Sequence, residues 1–431
     1  MKITNLGGAT AIIEHQGKRI LTDPWLDDGI FHGAWYHYPP LSDSISLSNL
    51  GRFDYIYISH IHEDHCSIGT LNKLNLDAEV IIADINPNFV EKFLQRNNLN
   101  FKKIHKIAPR TPTKISEGMW VDVVEADPAN EMSAAIDSAL ILVWDGFVIY
   151  NANDCQPYQN GVKYLLDNYS VDLALLPYSG GSGYPACYQN LSDLDKTRRV
   201  LEIQNFRLEH FKNITVEISP RWVMPFADQY VIAGSQSHLN KYVSHPPSPG
   251  IVRERYGEHI GDTKVLLLNS LQSYDFETKC YVPDEPYIIF TDKDRDQYIS
   301  NNLQDKLYEH QLFSLNSSVS FFRLIQFART RLWLEQKRRN SFPDWTIYID
   351  LPERAERYEL NLKLEEIVIK EYDVALNEPF LRVEMASTLA AMILIGHISI
   401  NIADAALFVN YYRQPDIYNP EIYVLLNLLR C

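Results

Sequence analysis

An α/β fold with a functional rim at its strand ends is what this sequence predicts, and three observations carry the prediction. Apolar segments of strand length alternate with helix-like segments through the first half of the chain. Several of the strand candidates run straight into polar loops. One of those loops, following "YIYIS", crowds three histidines and two acids into "HIHEDH", residues 60–65.

The elements follow in order. "TAIIEH" and "KRILTD" flank Gln16-Gly17 and read as a hairpin. "FDYIYIS" alternates and then turns apolar at its end, as a buried strand does, and "SIGTLNKLN" has helical spacing. "AEVIIAD" is a further strand, and "NFVEKFLQRNN", with Asn and Pro before it, a further helix. "MWVDVVEAD", "SALILVWDG", "FVIYNAND" and "VDLALLPYS" supply four more strands. The charged, periodic stretch over 190–215 predicts a long helix, and "SHPPSPG" (244–250) a loop. Residues 300–345 read as helices. From 346 the pattern becomes short alternating strands, ending in helical "TLAAMILIG" and "IADAALFVNYY". The expected division is a catalytic domain over 1–260, a helical connector over 261–345 and a smaller C-terminal α+β unit over 346–431.

Composition narrows the function. The 431 residues carry a net charge of −15, against a nucleic-acid binder with a basic surface but leaving room for a local basic pocket. The five cysteines, Cys66, Cys155, Cys187, Cys280 and Cys431, are scattered, with no C-x-x-C or C-x-H pair, so zinc ribbons and Rieske clusters have no ligands here. Reduced thiols in a cytoplasm are expected. The start lacks a secretory pattern, and no window reaches about 18 uninterrupted apolar residues, so no membrane span is expected.

The crowding at 60–65 has a chemical reading. In a tight loop His60 and His62 can converge on one point while Asp64 and His65 turn toward a second. Imidazole and carboxylate suit zinc, iron or manganese. H-x-H-x-D-H resembles the signature of the metallo-β-lactamase superfamily, and the order of elements agrees. "RILTDPWL" supplies Asp23 at a strand end, "FVIYNANDC" the bridging acid Asp154, and "AGSQSHLNKY" a late histidine, His238. "DPWLDDGIFHGAWYHYPP", "DSALILVWDGFVIYNANDCQP", "SGGSGYP", "MPFADQYVIAGSQSH" and "YYRQPDIYNPEIYVLL" resemble segments of the CMP-N-acetylneuraminate hydroxylase family. That family hydroxylates the N-acetyl group of a sugar nucleotide with oxygen and electrons delivered through a Rieske centre. The resemblance implies a metallo-β-lactamase αββα sandwich with an additional C-terminal α+β unit. It also implies two divalent metal ions.

Two departures qualify what carries over. The family's Rieske cysteines are missing, so a separate electron-transfer protein is expected and the substrate is left open. The superfamily's third histidine for the first metal is missing too, since no histidine lies between His105 and His210. Glu131, ahead of Asp127, is expected in its place. A carboxylate there makes the site harder and favours iron or manganese over zinc; iron is expected first, with zinc or manganese as alternatives. The arrangement then resembles the metallo-β-lactamase-like di-iron hydroxylases of nonribosomal peptide synthesis.

The expected ligands are His60, His62 and Glu131 for one ion, Asp64, His65 and His238 for the other, and Asp154 as the bridge. Asp64 and Asp154 are the catalytic carboxylates, and Asp23 orients a ligand from behind. Glu63 faces away and is dispensable. "PYSGGSGYP" (177–185) offers backbone N–H groups to an anion. Trp25, Trp35 and Tyr36 wall the site, His32 and His37 back it, and His397 is a core histidine. Three functions stay in view: an oxygen-dependent hydroxylase, a dinuclear hydrolase of phosphoesters, amides or lactones, and a binding protein without catalysis. Partners are a small-molecule substrate, anionic by expectation, and the electron donor. Nucleic acid and membrane are not expected, and a homo-oligomer is compatible with the sequence.

Overall fold

The computed structural model describes residues 1–41, 47–227, 230–316, 319–372 and 374–430. Two eight-stranded sheets pack face to face. In the first, Lys2–Gly7, Thr10–His15 and Lys18–Thr22 form an antiparallel meander. Tyr55–Tyr57, Glu79–Ala83 and Lys103–Ile107 then add in parallel beside Lys18–Thr22. In the second, Ser138–Trp144 and Phe147–Asn151 form a hairpin at the centre, with Leu173–Pro177 and Trp222–Phe226 parallel to Phe147–Asn151 and each other.

The side-chain period of two builds four layers from these strands. Along Ser138–Trp144, Leu140, Leu142 and Trp144 enter the core between the sheets, while Ala139 and Ile141 face outward against helices. Tyr55 and Tyr57 likewise face the second sheet, while Ile56 and Ile58 pack with Val90 and Leu94 of helix Phe89–Arg96. On the opposite outer face, Gln159–Asn168 and Asp193–Ile218 contribute Val162, Leu165, Leu208, Phe211 and Ile214. The result is the expected metallo-β-lactamase αββα sandwich. Strands Ser273–Asp275 and Cys280–Val282 add to its first sheet beside Lys2–Gly7, so that sheet's pairing extends beyond residue 260.

Behind it stand helices Asp292–Asn302 and Phe321–Arg339 and a five-stranded sheet centred on Thr346–Leu351. Within that sheet Asp350 and Arg357, both buried, pair through two bonds of 2.7 Å. Helices Ser387–Leu394, Ile400–Ala405 and Pro420–Asn427 complete this α+β unit. One apolar cluster spans the whole assembly: Trp25, Trp35, Tyr188 and Tyr230 share it with Phe321, Ile347, Leu389 and Phe408. Among the described residues, no helix is long and apolar enough to cross a membrane.

Candidate metal centre

The site sits where strands of both sheets end. Lys18–Thr22 and Tyr55–Tyr57 are parallel neighbours, with Thr22 opposite Tyr57, so Asp23 and the 60–65 turn leave the first sheet side by side. Ser59 binds them together. Its N–H donates to Asp23 Oδ1 at 2.7 Å and its hydroxyl to Asp23 Oδ2 at 2.9 Å. The turn then closes tightly, with the N–H groups of His65 and Cys66 both donating to the His62 carbonyl.

From the second sheet come Asp154, just after Phe147–Asn151, and Asp137, just before Ser138–Trp144. The Asp145-Gly146 turn, with both residues at positive φ, sets the hairpin register that places Leu140 opposite Asn151. Past the end of the ladder, Asn153 Nδ2 donates to the Ser138 carbonyl at 3.0 Å, holding the turn that carries Asp154 against the residue after Asp137.

The side chains converge in two sets. In one, His60 Nε2 lies 2.8 Å from His62 Nδ1 and 3.8 Å from Asp137 Oδ1. In the other, His65 Nε2 lies 3.3 Å from Asp64 Oδ2 and 3.2 Å from Asp154 Oδ2. One ligand atom each from His60, His65 and Asp154 lies within 4.8 Å of the other two. Asp64 Oδ1 and Asp137 Oδ1 are buried with no hydrogen-bond partner. Unpaired carboxylate oxygens beside imidazoles make a donor set that fits divalent cations.

Asp23 sets the imidazoles. His65 Nδ1 lies 3.0 Å from Asp23 Oδ2, and His60 Nδ1 lies 2.9 Å from the Ser59 hydroxyl, whose own proton goes to Asp23. Both Nδ1 atoms therefore carry protons, and both Nε2 atoms face the site. Asp23 is fully buried, and burial raises its pKa against the lowering pull of His65.

Electrostatics mark a place for positive charge. Burial works against a charged His65, yet Asp154, Asp64 and Asp23 hold its pKa well above the usual value. Burial, joined by the neighbouring His65 and His62, drives His60 well below. Burial opposes ionisation of Asp64 and Asp154, and the His65 charge outweighs it in both. Asp137, farther from that charge, is pushed up to about 7, first by burial and then by Asp154.

The expected ligands fare unevenly. His60, His62, Asp64, His65 and Asp154 are brought together, with Asp23 behind them. His238 is not: it is exposed on the turn Gly234–Tyr242, its Nδ1 2.9 Å from the Ser235 carbonyl. That turn binds inward through Asn240, whose amide contacts the Ile232 backbone, so His238 is left facing outward. Glu131 begins helix Glu131–Ala134, but its side chain lies outside the described residues. Asp127 accepts from the Ala129 N–H at 3.0 Å, closing a local turn. Asp137, from the same segment, is the carboxylate beside His60.

Neighbouring expectations also change. Glu63, expected to face away, accepts the Phe31 N–H at 2.7 Å and so anchors the Ile30–Gly33 turn. His397 is half-exposed, bonded to Glu309. His37 is buried against Trp25, their ring centroids 3.6 Å apart. Trp35 stacks on Tyr230 and donates from Nε1 to the Ala405 carbonyl, joining the sandwich to the C-terminal unit.

The anion taken by the Gly-rich loop is one of the chain's own. Gly183 N donates to Asp404 at 3.3 Å, and a Cβ at Gly183 would meet Asp404 Oδ1 at 2.5 Å.

One participant had no signal in the motif. Asn401 of the C-terminal unit reaches His62 Nε2 with its Nδ2 at 3.2 Å. With the amide turned to present Oδ1, it accepts a proton from His62 Nε2 and leaves the Nδ1 lone pair facing His60 and the cluster. Asn401 also lines a cavity of about 510 Å³ between the sandwich and the C-terminal unit, with Tyr184, Tyr188, Arg199, Asp404 and Arg413.

Several known proteins are similar to this chain. A Rieske 2Fe-2S iron-sulfur protein of Mycobacterium tuberculosis is 27% identical over 277 residues, covering 62% of this chain and 52% of that one. The cytidine monophosphate-N-acetylneuraminic acid hydroxylase of Asterias rubens is 26% identical over 270 residues, covering 54% of this chain and 38% of that one. The chain thus spans about half or less of the length of these relatives. The isothiocyanate hydrolase from Delia radicum gut bacteria superposes with a TM-score of 0.46 at 17% identity, over 64% of this chain and 99% of that one. Residues 2–204 match the family model described as the beta-lactamase superfamily domain.

Proposed function

We propose that the cluster holds two divalent metal ions, iron ahead of zinc or manganese, and that the chain is the catalytic part of an oxygen-dependent hydroxylase. His60, His62 and Asp137 would hold one ion, Asp64 and His65 the other, with Asp154 between them. A di-iron pair so held supplies redox chemistry with dioxygen. The observation that carries the reading is Asp137, a buried carboxylate with an unpaired oxygen beside His60, where a third histidine would make the site softer. The hydroxylase name of the Asterias rubens relative supports the same class.

The chain's own groups do the rest. Asp23, directly and through Ser59, keeps His65 and His60 with their Nε2 atoms facing the centre. Asn401 fixes His62 from the other side. The adjoining cavity would take the substrate, a small molecule with an anionic group near Arg199 and Arg413 and a face against Tyr184 and Tyr188. The Mycobacterium tuberculosis relative carries a Rieske 2Fe-2S name, and these 431 residues hold no C-x-x-C or C-x-H pair. The proposed electron source is therefore a centre outside them. Three parts act together in this scheme: the sandwich, the helical connector and the C-terminal unit as a cap. Free thiols at Cys66, Cys155, Cys187 and Cys280 suit a cytoplasmic setting.

The test is elemental analysis and optical spectroscopy of protein purified without oxygen, followed by oxygen uptake with chemical reductants. Iron near two equivalents per chain and reductant-dependent uptake are expected. Zinc-loaded protein with no uptake under any reductant refutes the proposal. Turnover of an ester, amide or lactone by that zinc form, abolished by His62→Ala, would establish the hydrolase instead.

A further inference from the structure

Two histidines and a glutamate from distant parts of the chain meet outside the catalytic cluster. Glu309, on the short turn Glu309–Gln311 of the connector, pairs through Oε2 with His32 Nδ1 and lies 3.0 Å through Oε1 from His397 Nε2. The two imidazole centroids are 5.7 Å apart. One ligand atom from each of the three lies within 4.8 Å of the other two. His32 sits on the Ile30–Gly33 turn, where Phe31 and His32 have φ of 50° and 56°, a conformation that side chains rarely adopt. Glu63 holds that turn in place through the Phe31 N–H.

We propose that His32, Glu309 and His397 form a zinc site separate from the catalytic pair, clamping the connector and the C-terminal unit to the turn beside the catalytic centre. Two imidazoles and one carboxylate are a recurrent zinc donor set, with water as the fourth ligand. Side-chain exposure rises from 13% at His32 through 35% at Glu309 to 49% at His397, so the cluster is open to water on one edge. Each histidine would give the lone pair of the nitrogen now facing Glu309 and carry its proton on the other. The links close sequence intervals of 277 and 88 residues, the long-loop case in which a metal clip gains most. His397 lies four positions before Asn401, whose amide touches His62, so the clamp would fix the segment that reaches the catalytic centre.

Zinc added to the full chain and measured after dialysis tests this. His397→Ala, at a half-exposed position, should remove one equivalent of zinc per chain, and Glu309→Gln should do the same. In a second background, His60→Ala with His65→Ala to disable the catalytic cluster, one zinc should remain and be lost on adding His397→Ala. Unchanged zinc content on His397→Ala and on Glu309→Gln would reduce the trio to an ordinary hydrogen-bonded cluster. Because the readout is the change at His397 and Glu309, it is independent of which metal the catalytic centre takes.

Discussion

Asp137 is the residue on which the proposed chemistry turns, and its own titration gives a way to see it. A carboxyl that ionises near 3.8 when exposed but near 7 in the fold keeps its proton longer in the folded chain. Folded protein then binds more protons than unfolded protein between those values, so metal-free stability falls as pH rises through that window. Asp137→Asn removes the effect. Metal-free Asp137→Asn should gain stability over the parent progressively from about pH 4 to about pH 7, by a few kcal/mol at the top, in urea titrations. With metal present the sign reverses, because the amide is a poorer ligand. Equal pH profiles for the two metal-free proteins would show that Asp137 feels no such environment.

Asp23 makes a different prediction, since it touches no ion in this scheme. It accepts from Ser59 N, Ser59 Oγ and His65 Nδ1. Asp23→Ala frees both imidazoles to rotate and change tautomer, and should weaken metal binding by about 10–100-fold. Competition with a chromophoric chelator measures it, and unchanged affinity would mean that the imidazoles are held some other way.

At the scale of elements, legibility follows sequence distance. The cluster His60–His65 could be read because its members are contiguous after one apolar strand. Asp154 could be read because it follows another. Asp137 was readable in principle: the Asp145-Gly146 turn pairs Trp144 with Phe147, so the residue before the first strand of the hairpin and those after the second emerge at the same end as Asp154. Reading residues 124–138 as the stretch that replaces the missing histidine, instead of as the approach to a hairpin strand, points to Asp127 and Glu131. His238 failed for the opposite reason, since only its order in the chain recommended it. Asn401 offered no pattern at all, because its contact with His62 spans 339 positions.

The element that delivers Asn401 is helix Ile400–Ala405, capped by the Ser399 hydroxyl accepting from Ile402 N. Asn401→Ala leaves that cap intact and removes only the amide. Metal held by His60 and His62 should then weaken by about tenfold, the low end for an outer partner, with helix content by circular dichroism unchanged. Full retention of affinity would demote Asn401 to a lining residue of the cavity.

For the whole molecule, the question is whether the C-terminal unit is a separate body or part of one fold. Periodicity puts a boundary at 346, and the strands beyond it form a five-stranded sheet of their own. The packing argues for one body. A single apolar cluster runs from Trp25 and Trp35 of the sandwich through Phe321 of the connector to Ile347 and Phe408. Polar ties cross the same seam: Trp35 Nε1 to Ala405 O, Gly183 N to Asp404, and Tyr188 to Tyr423 through their hydroxyls at 2.7 Å. Exposing that cluster by unfolding one part alone would strand large apolar area in water, at about 25 cal/mol per Å². The chain should therefore melt in one cooperative transition. Arg357→Ala tests this from a position remote from the metal centre, since it leaves Asp350 buried without its two-bond partner. Arg382, 3.8 Å from Asp350 Oδ2, remains as a weaker partner, so the loss costs up to about 3 kcal/mol. If the fold is one unit, this change lowers a single midpoint, and the near-ultraviolet signal of the sandwich tryptophans Trp120 and Trp144 shifts with it. Two resolved transitions, with only the lower one moved by Arg357→Ala and the tryptophan signal left at the upper, would instead make the C-terminal unit an independent cap.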